Sequence, residues 1–369
     1  MLYCANCGNP VNEGDKFCIK CETRLNANNV KTAADIAYKR INYDDFSPDS
    51  AIVSSDLCGQ KVFGYRLTHY IGSVAESSFY MAGSAAEGST ERKTVQHIIF
   101  PAREGYEVLL RLNGYSPARA NDAVQNCVKA VGNEIPAFRR ICSAAGIPCI
   151  YEDVKVLYSG LSKVYHIFIL MKPVVPFTYY IKTRPVTVRD VIVWGISVTD
   201  QLSAVSRSRN EYNAVDETNL FFDGNNGLYL GCRLKNIYKD NMYLSSYTSL
   251  SNLYLPPDDW ESGQDVYGTG MLLYLLFNNM RHPYITQYEE KITGEKYSNA
   301  EKLRMSHIRN RLPHFAQNSL GRELLRTFSD VDNHIPNIEE LGSVLRNSLN
   351  YITTEELNTV VLNISNTEK

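Results

Sequence analysis

The chain is expected to be an α+β protein in which a small, mainly-β region precedes a larger, mainly-α one, with a four-cysteine module ahead of both. Three observations predict this. Residues 64–83 (GYRLTHYIGSVAESSFYMAG) alternate apolar and polar side chains with the period of two that half-buried strands require. Residues 123–144 (AVQNCVKAVGNEIPAFRRICSA) carry apolar side chains at helical spacing, and Thr187-Val-Arg-Asp190 ahead of the apolar stretch 191–202 reads as an N-capped helix. Cys4-x-x-Cys7 and Cys18-x-x-Cys21 gather four of the nine cysteines near the N-terminus.

A length of 369 residues has room for one large domain plus a small module. The hydrophobic share of 44% and charged share of 21% are those of a globular protein. A net charge of −2 gives no global field toward nucleic acid or anionic membrane. The longest apolar run, Gly270–Phe277, is far short of the roughly 20 residues that span a bilayer. The N-terminal MLYCANCGNP lacks the charged and apolar regions of a secretory signal. The cysteines outside the cluster (Cys58, Cys127, Cys142, Cys149, Cys232) are scattered, which fits a reducing cytoplasm better than a disulfide framework. A cytoplasmic location without membrane insertion is therefore expected.

In the first module, two C-x2-C knuckles separated by ten residues suit a tetrahedral zinc site, because each tight turn aims two thiolates at one metal. Pro10–Asp15 is expected to supply the turn residues of a short hairpin between the knuckles. A redox C-x-x-C pair is the competing reading, but one pair would suffice and no thioredoxin-like pattern surrounds these. A module this small cannot bury a sufficient core, so zinc binding and folding should be one event worth on the order of 10 kcal/mol. With Cys4, Cys7, Cys18 and Cys21 as ligands no position stays open for catalysis. Lys16, Lys20 and Arg24 are cancelled by Glu13, Asp15 and Glu22, so phosphate affinity is not expected here. The stretch YCANCGNPVNEGDKFCIKCETRL resembles the short zinc ribbons that begin many bacterial and archaeal proteins, with Glu22 in place of a second glycine.

Beyond residues 1–25, residues 26–59 read as a polar linker with room for a short helix over Thr32–Ile41. Lys93–Pro101 (KTVQHIIFP) reads as a strand, and a polar stretch runs from Ala102 to Asp122 before the helix of residues 123–144, which Pro136 should kink or shorten. Tyr165–Lys172 (YHIFILMK) reads as a buried strand that Pro173–Pro176 ends. Asp223–Gly227 reads as a turn and Leu228–Gly231 as the returning strand. Residues 349–369 form a polar tail with an apolar patch at Val360–Ile364, suited to packing on the body or a partner.

Residues 60–348 resemble a bacterial protein kinase of the eukaryotic Ser/Thr type, on motif order and spacing more than on catalytic letters. The resemblance implies a two-lobed fold, small mainly-β and larger mainly-α. It implies a degenerate glycine-rich loop, with Gly72 kept but Val74 and Ser77 at the second and third glycine positions. Gln96 falls where the phosphate-gripping lysine belongs, and Lys93, three residues upstream, would face the other side of the strand. Glu134, in Asn-Glu-Ile, matches the helix glutamate that partners that lysine, here either left without its mate or simply solvated. Tyr212–Phe221 (YNAVDETNLF) lies over the catalytic loop, with Tyr212 for histidine, Asn213 for arginine, Ala214 for the catalytic aspartate and Asp216 for the lysine that neutralises phosphate. Asn219 alone survives. Cys232-Arg-Leu234 stands for the metal-binding D-F-G triplet. Downstream, Tyr254–Asp258 resembles the Y-x-A-P-E segment, with His334 where an arginine usually pairs with its acid. Asp265–Tyr274 resembles the buried helix whose aspartate holds the catalytic-loop backbone, and Leu324–Leu345 the final helices.

Phosphoryl transfer is positioning plus electrostatic stabilisation, and each such group removed typically costs about 10²–10³ in rate. Lysine, loop cation, base and one metal ligand are absent together. The resemblance therefore implies a catalytically inactive pseudokinase, regulatory or scaffolding through protein–protein contacts, with structural zinc and neither ATP nor Mg²⁺ expected. A second hypothesis is an unconventional nucleotide-dependent transferase using Asp216, Asn219 and Asp223 near Glu134. A third is nucleic-acid binding through the ribbon. Arg233 beside Cys232 would lower that thiol's pKa, whereas burial would raise it.

Overall fold

A computed structural model of the chain describes residues 57–74, 77–86, 88–100, 115–160, 164–234, 237, 263–278, 280, 319–327 and 335–364, with 2–4, 10–11, 16 and 30–32 near the N-terminus. It is a mixed α+β protein. An antiparallel sheet occupies the earlier part of the body and helices dominate the later part.

At the N-terminus, β1 (Leu2–Cys4) pairs antiparallel with β2 (Pro10–Val11) on one side and with β3 (Val30–Thr32) on the other. Pro10 and Val11, expected in a turn, are thus paired, and the edge place of β2 tolerates a proline that cannot donate. The third strand falls in the stretch expected to be linker, and includes Thr32, the first residue of the expected short helix. Cys7, Cys18 and Cys21, and the side chain of Cys4, lie outside the described residues.

The main sheet runs β4 (Lys61–Val62), β5 (Tyr65–Val74), β6 (Ser77–Ser84), β7 (Arg92–Phe100), β9 (Tyr165–Met171), β8 (Tyr151–Tyr158), all antiparallel. Helix α1 (Pro117–Ala145) links β7 to β8, and its Val131, Ile135 and Phe138 share one core with Phe79, Ile98, Ile167 and Ile169 of the sheet. The opposite face carries a second, smaller core in which Leu57 and Val62 pack with Leu67, Tyr80, Val95 and Phe168. This second layer explains why β6 is buried on both sides although alternation predicts a half-buried strand. It also encloses His97 and His166, whose rings stack 5.2 Å apart with Nε2 and Nδ1 3.0 Å from each other. Burial, and then the neighbouring His166, push the His97 pKa down to about 3, so this imidazole is neutral in the folded chain near neutral pH.

Helix α1 begins at Pro117, ahead of the expected Ala123, and is not stopped by Pro136. The Ser116 hydroxyl accepts from the Arg119 amide, and Pro117 occupies the first turn, where a missing N–H costs nothing. Pro136 leaves the Gly132 carbonyl without its helical donor, but Val131, Ile135 and Phe138 hold the helix on the sheet across that defect.

The later part is built on α3 (Val188–Arg207), which follows β10 (Val174–Pro176), α2 (Phe177–Thr183) and β11 (Val186–Thr187). Its expected cap is present as a reciprocal box: Thr187 Oγ1 accepts from Asp190 N while the Asp190 carboxylate accepts from Thr187 N. The hairpin β12 (Leu220–Asp223) and β13 (Leu228–Leu230) pairs with β10. Helix α4 (Gly263–Phe277) covers Asp265–Tyr274, where the resemblance implied a buried helix, and is buried from Val266 onward. At Gly195 of α3 an added Cβ would stand 2.9 Å from Leu345 and 3.0 Å from Leu273, so this glycine sets how closely α3, α4 and α6 (Ile338–Tyr351) approach. Helix α5 (Ser319–Leu325) packs on α4. After α7 (Thr354–Leu357), β14 (Val360–Leu362) pairs with β11, so the apolar patch of the tail packs on the body. Among the described residues no helix is long and apolar enough to cross a membrane.

Candidate functional site

Four segments far apart in sequence meet at the inner face of the sheet: β7, α1, the loop 212–219, and the turn after β13. Each is aimed by a local rule. In the 6-stranded sheet, β6 and β7 pair so that Phe79 lies opposite Gln96 and Ser77 opposite Ile98. Gln96 therefore points inward and Ser77 is its diagonal neighbour. The Gln96 amide donates to Ser77 Oγ at 2.7 Å, in full burial. Two side chains singled out in the sequence thus bond each other. Among the described residues, Gln96 Oε1 is buried with no hydrogen-bond partner. Lys93 faces away, as period two requires, and its ammonium binds Glu152 at 2.7 Å and Glu91 at 3.0 Å. Gly72 sits in β5 opposite Phe79, and Val74 is buried at its end.

The loop 212–219 is fastened from inside. Asn213 N donates to Asp265 Oδ1 of α4 at 2.8 Å, holding Asn213 in a left-handed conformation (φ 52°). The Tyr212 hydroxyl donates to the Gly231 carbonyl at 2.8 Å, and burial raises its pKa well above the phenolic range. Ala214 is buried and its carbonyl accepts from the Asn219 amide. Asp216 is 3% exposed, and its Oδ1 accepts from Thr218 N at 2.8 Å and Thr218 Oγ1 at 2.5 Å. Asp216 N in turn donates to Asn219 Oδ1 at 3.3 Å. Ala214, Asp216, Thr218 and Asn219 thus close on one another.

After β13 the chain passes under the loop at Gly231, whose amide donates to the Asn219 carbonyl at 2.6 Å. A side chain cannot enter there: an added Cβ would lie 2.6 Å from that carbonyl and 2.7 Å from the Phe221 ring. Cys232 follows, with its amide on the Tyr151 hydroxyl at 2.9 Å. Burial pushes the Cys232 thiol up to about 12, so Arg233 does not activate it. The guanidinium is engaged elsewhere. Arg233 Nε and N donate to Glu134 Oε1 at 2.9 and 3.2 Å, and Nη2 to Oε2 at 3.4 Å. Glu134, which the sequence left either mateless or solvated, is buried and paired with Arg233.

Gln96, Asp216, Asn219 and Cys232 line one narrow cavity with Tyr151 and Phe221 between them. The described residues leave about 10 Å³ there for a water-sized sphere, room for about a single water molecule. Asp216 is the one formally charged side chain among the described residues that line it. Asp223 is not brought in. Its Oδ1 accepts from Asn225 N and Gly227 N at 2.8 Å and its Oδ2 from the Tyr229 hydroxyl at 2.7 Å, so it closes its own turn. Burial opposes its charge, but these bonds outweigh it and leave the pKa lowered. Among the described residues no group of three or more His, Cys, Asp or Glu side chains is placed to hold a metal ion. Asp258 and His334 lie outside the described residues. Sequence reasoning missed the Glu134–Arg233 and Gln96–Ser77 partnerships; the second was accessible from strand register, the first from nothing local.

Compared with protein-family models and with curated protein sequences, the chain matches none.

Proposed function

We propose that this chain is a catalytically inactive, protein-kinase-like protein that acts by binding other proteins, with zinc held by Cys4, Cys7, Cys18 and Cys21 as a structural element. The observation that carries the reading is convergence. Gln96, Asp216, Asn219 and Cys232, singled out by motif spacing across more than a hundred residues of sequence, line one cavity, and Asp265 fastens the loop backbone at Asn213. The two-lobed reading rests on the same residues, with a sheet-and-helix part ahead of the cavity and a helical part behind it.

Inactivity follows from charge and space. A nucleotide triphosphate needs cations at its phosphates and carboxylates for Mg²⁺. Here a buried carboxylate and two amides face a water-sized space, and the Arg233 guanidinium is engaged by Glu134. Cytoplasmic protein–protein contact, through the helical part, the closed cleft or the N-terminal module, is the function such a scaffold retains. The transferase alternative loses Asp223 to its own turn.

Calorimetric titration of the zinc-loaded chain with ATP, with and without Mg²⁺, tests the proposal. No heat and no thermal shift are expected. Tight Mg²⁺-dependent binding would sink it.

A further inference from the structure

Sheet and hairpin meet a second time where β7 packs against β10. Thr94, two residues before Gln96 and on the same face of β7, is buried, and so is Val174 of β10. One hydroxyl joins them in both directions: Thr94 Oγ1 donates to the Val174 carbonyl at 2.6 Å and accepts from the Val174 amide at 3.1 Å. Both backbone groups of Val174 thus face away from β12, as alternate residues of an edge strand do, and β10 is the edge of the sheet β10-β12-β13. Two rings close the arrangement. Phe79 is the diagonal neighbour of Thr94, which lies opposite Met81, and Phe221 is the diagonal neighbour of Val174, which lies opposite Asp223. The Phe79 and Phe221 rings, both buried, meet with their centroids 5.8 Å apart. The Tyr179 ring of α2 lies 3.6 Å from the place a Cβ would take on Gly72, the residue opposite Phe79 in β5, and Tyr179 itself is exposed, so this ring is the outer cover.

A backbone N–H beside a C=O on one edge calls for an acceptor next to a donor. A planar heterocycle with a ring nitrogen beside an amino group presents that pair, and its faces suit a place against an aromatic ring. A primary amide has the same edge but no face to stack, and an extended peptide cannot reach an edge this buried. Thr94 makes both edge bonds with a single atom, and Phe79 lays a ring against Phe221. We propose that Val174 is the recognition edge of a latent site for small, planar, uncharged heterocycles, which Thr94 and Phe79 fill in place of a ligand. The inference rests on the closed-cleft reading above and deepens it: charge shuts the cleft to phosphates, and the chain's own side chains shut it to rings.

Phe79→Ala combined with Thr94→Ala removes about eight non-hydrogen atoms, close to the size of an aminopyrimidine. The test titrates the zinc-loaded full chain and this double variant by calorimetry with 2-aminopyrimidine and with pyrimidine, which keeps the ring and lacks the amino donor. The double variant should bind 2-aminopyrimidine with a Kd of about 1 mM or below, at least about tenfold more tightly than pyrimidine, and the unaltered chain should bind neither. Thr94→Val keeps the shape and loses the hydroxyl, and should speed hydrogen exchange at the Val174 amide by about tenfold or more, while Thr94→Ser retains the protection. The proposal is overturned if the double variant, refolded with either compound, does not favour 2-aminopyrimidine in affinity or folded yield. It is also overturned if the unaltered chain binds 2-aminopyrimidine equally well, or if Thr94→Val leaves the Val174 exchange unchanged. Failure of the inactive, contact-making reading is read separately, from Mg²⁺-dependent ATP binding by the unaltered chain.

Discussion

Replacing Arg233 by methionine keeps most of the aliphatic stem and removes the charge that faces Glu134. The Glu134 side chain is 9% exposed and that of Arg233 26%. Breaking a fully buried pair typically costs about 3–5 kcal/mol, and an exposed one about 0–1. The partial hydration of the guanidinium places this pair between those limits, so Arg233→Met is expected to cost about 2–3 kcal/mol. Glu134→Gln still offers an oxygen to the Arg233 amide and Nε, and should cost about 1–2 kcal/mol. In the double variant neither buried charge is left alone, so the losses should fall short of their sum by about 1–2 kcal/mol. Urea denaturation of the full chain, followed by circular dichroism, supplies the four stabilities of the cycle. A coupling under about 0.5 kcal/mol would mean that Glu134 behaves as a solvated surface carboxylate, and the reasoning would be refuted.

Gly231→Ala should destabilise by about 1–3 kcal/mol through overpacking, because its methyl meets the Asn219 carbonyl and Phe221 ring at 2.6 and 2.7 Å; an unchanged urea midpoint would argue against that approach. His97 is about 3 in the folded state against an ordinary 6.5, so its contribution is present above pH 6.5 and is lost as pH falls toward 3. Stability should drop with a slope approaching about 1.4 kcal/mol per pH unit in that window, and His97→Phe, which keeps the stack on Phe168, should flatten it; parallel losses in both proteins would contradict this. Metal analysis should give about one zinc per chain, with Cys18→Ser or a strong chelator releasing it while circular dichroism of the body is retained; a zinc-free preparation with the module folded would refute the ligand assignment.

Elements governed by local chemistry were legible in the sequence. Thr187 and Asp190 spell their helix cap in four letters, and Asp223–Gly227 marks its turn. The start of α1 was also written locally, as Ser116-Pro117, but lay inside a stretch whose polarity reads as loop. What the sequence withheld depends on residues distant along the chain. Burial of both faces of β6 needs Leu57 and Val62 to fold over it, and β14 finds its partner only in β11. Glu134 meets Arg233 across 99 residues, and no periodicity points from one to the other.

The polar groups of the cleft are mostly taken up by one another, Gln96 Oε1 being the exception among those described, and this bears on function more than any single substituted position. Asp216 is held by Thr218, Asn219 bridges Asp216 N and the Ala214 carbonyl, Gln96 binds Ser77, Asp265 holds Asn213, and Glu134 holds Arg233. A phosphate entering here would break bonds already made in a low-dielectric interior, where each orphaned partner costs about 1–3 kcal/mol and more if charged. It would also meet the Asp216 carboxylate, a repulsion of about 4 kcal/mol per unit charge at 4 Å and an effective dielectric of 20. Placing a lysine at position 96 would add a cation to a site whose geometry stays shut by four other contacts. On the function proposed above, the network ties sheet and helices together through contacts that no ligand need break, which leaves the outer surfaces for binding.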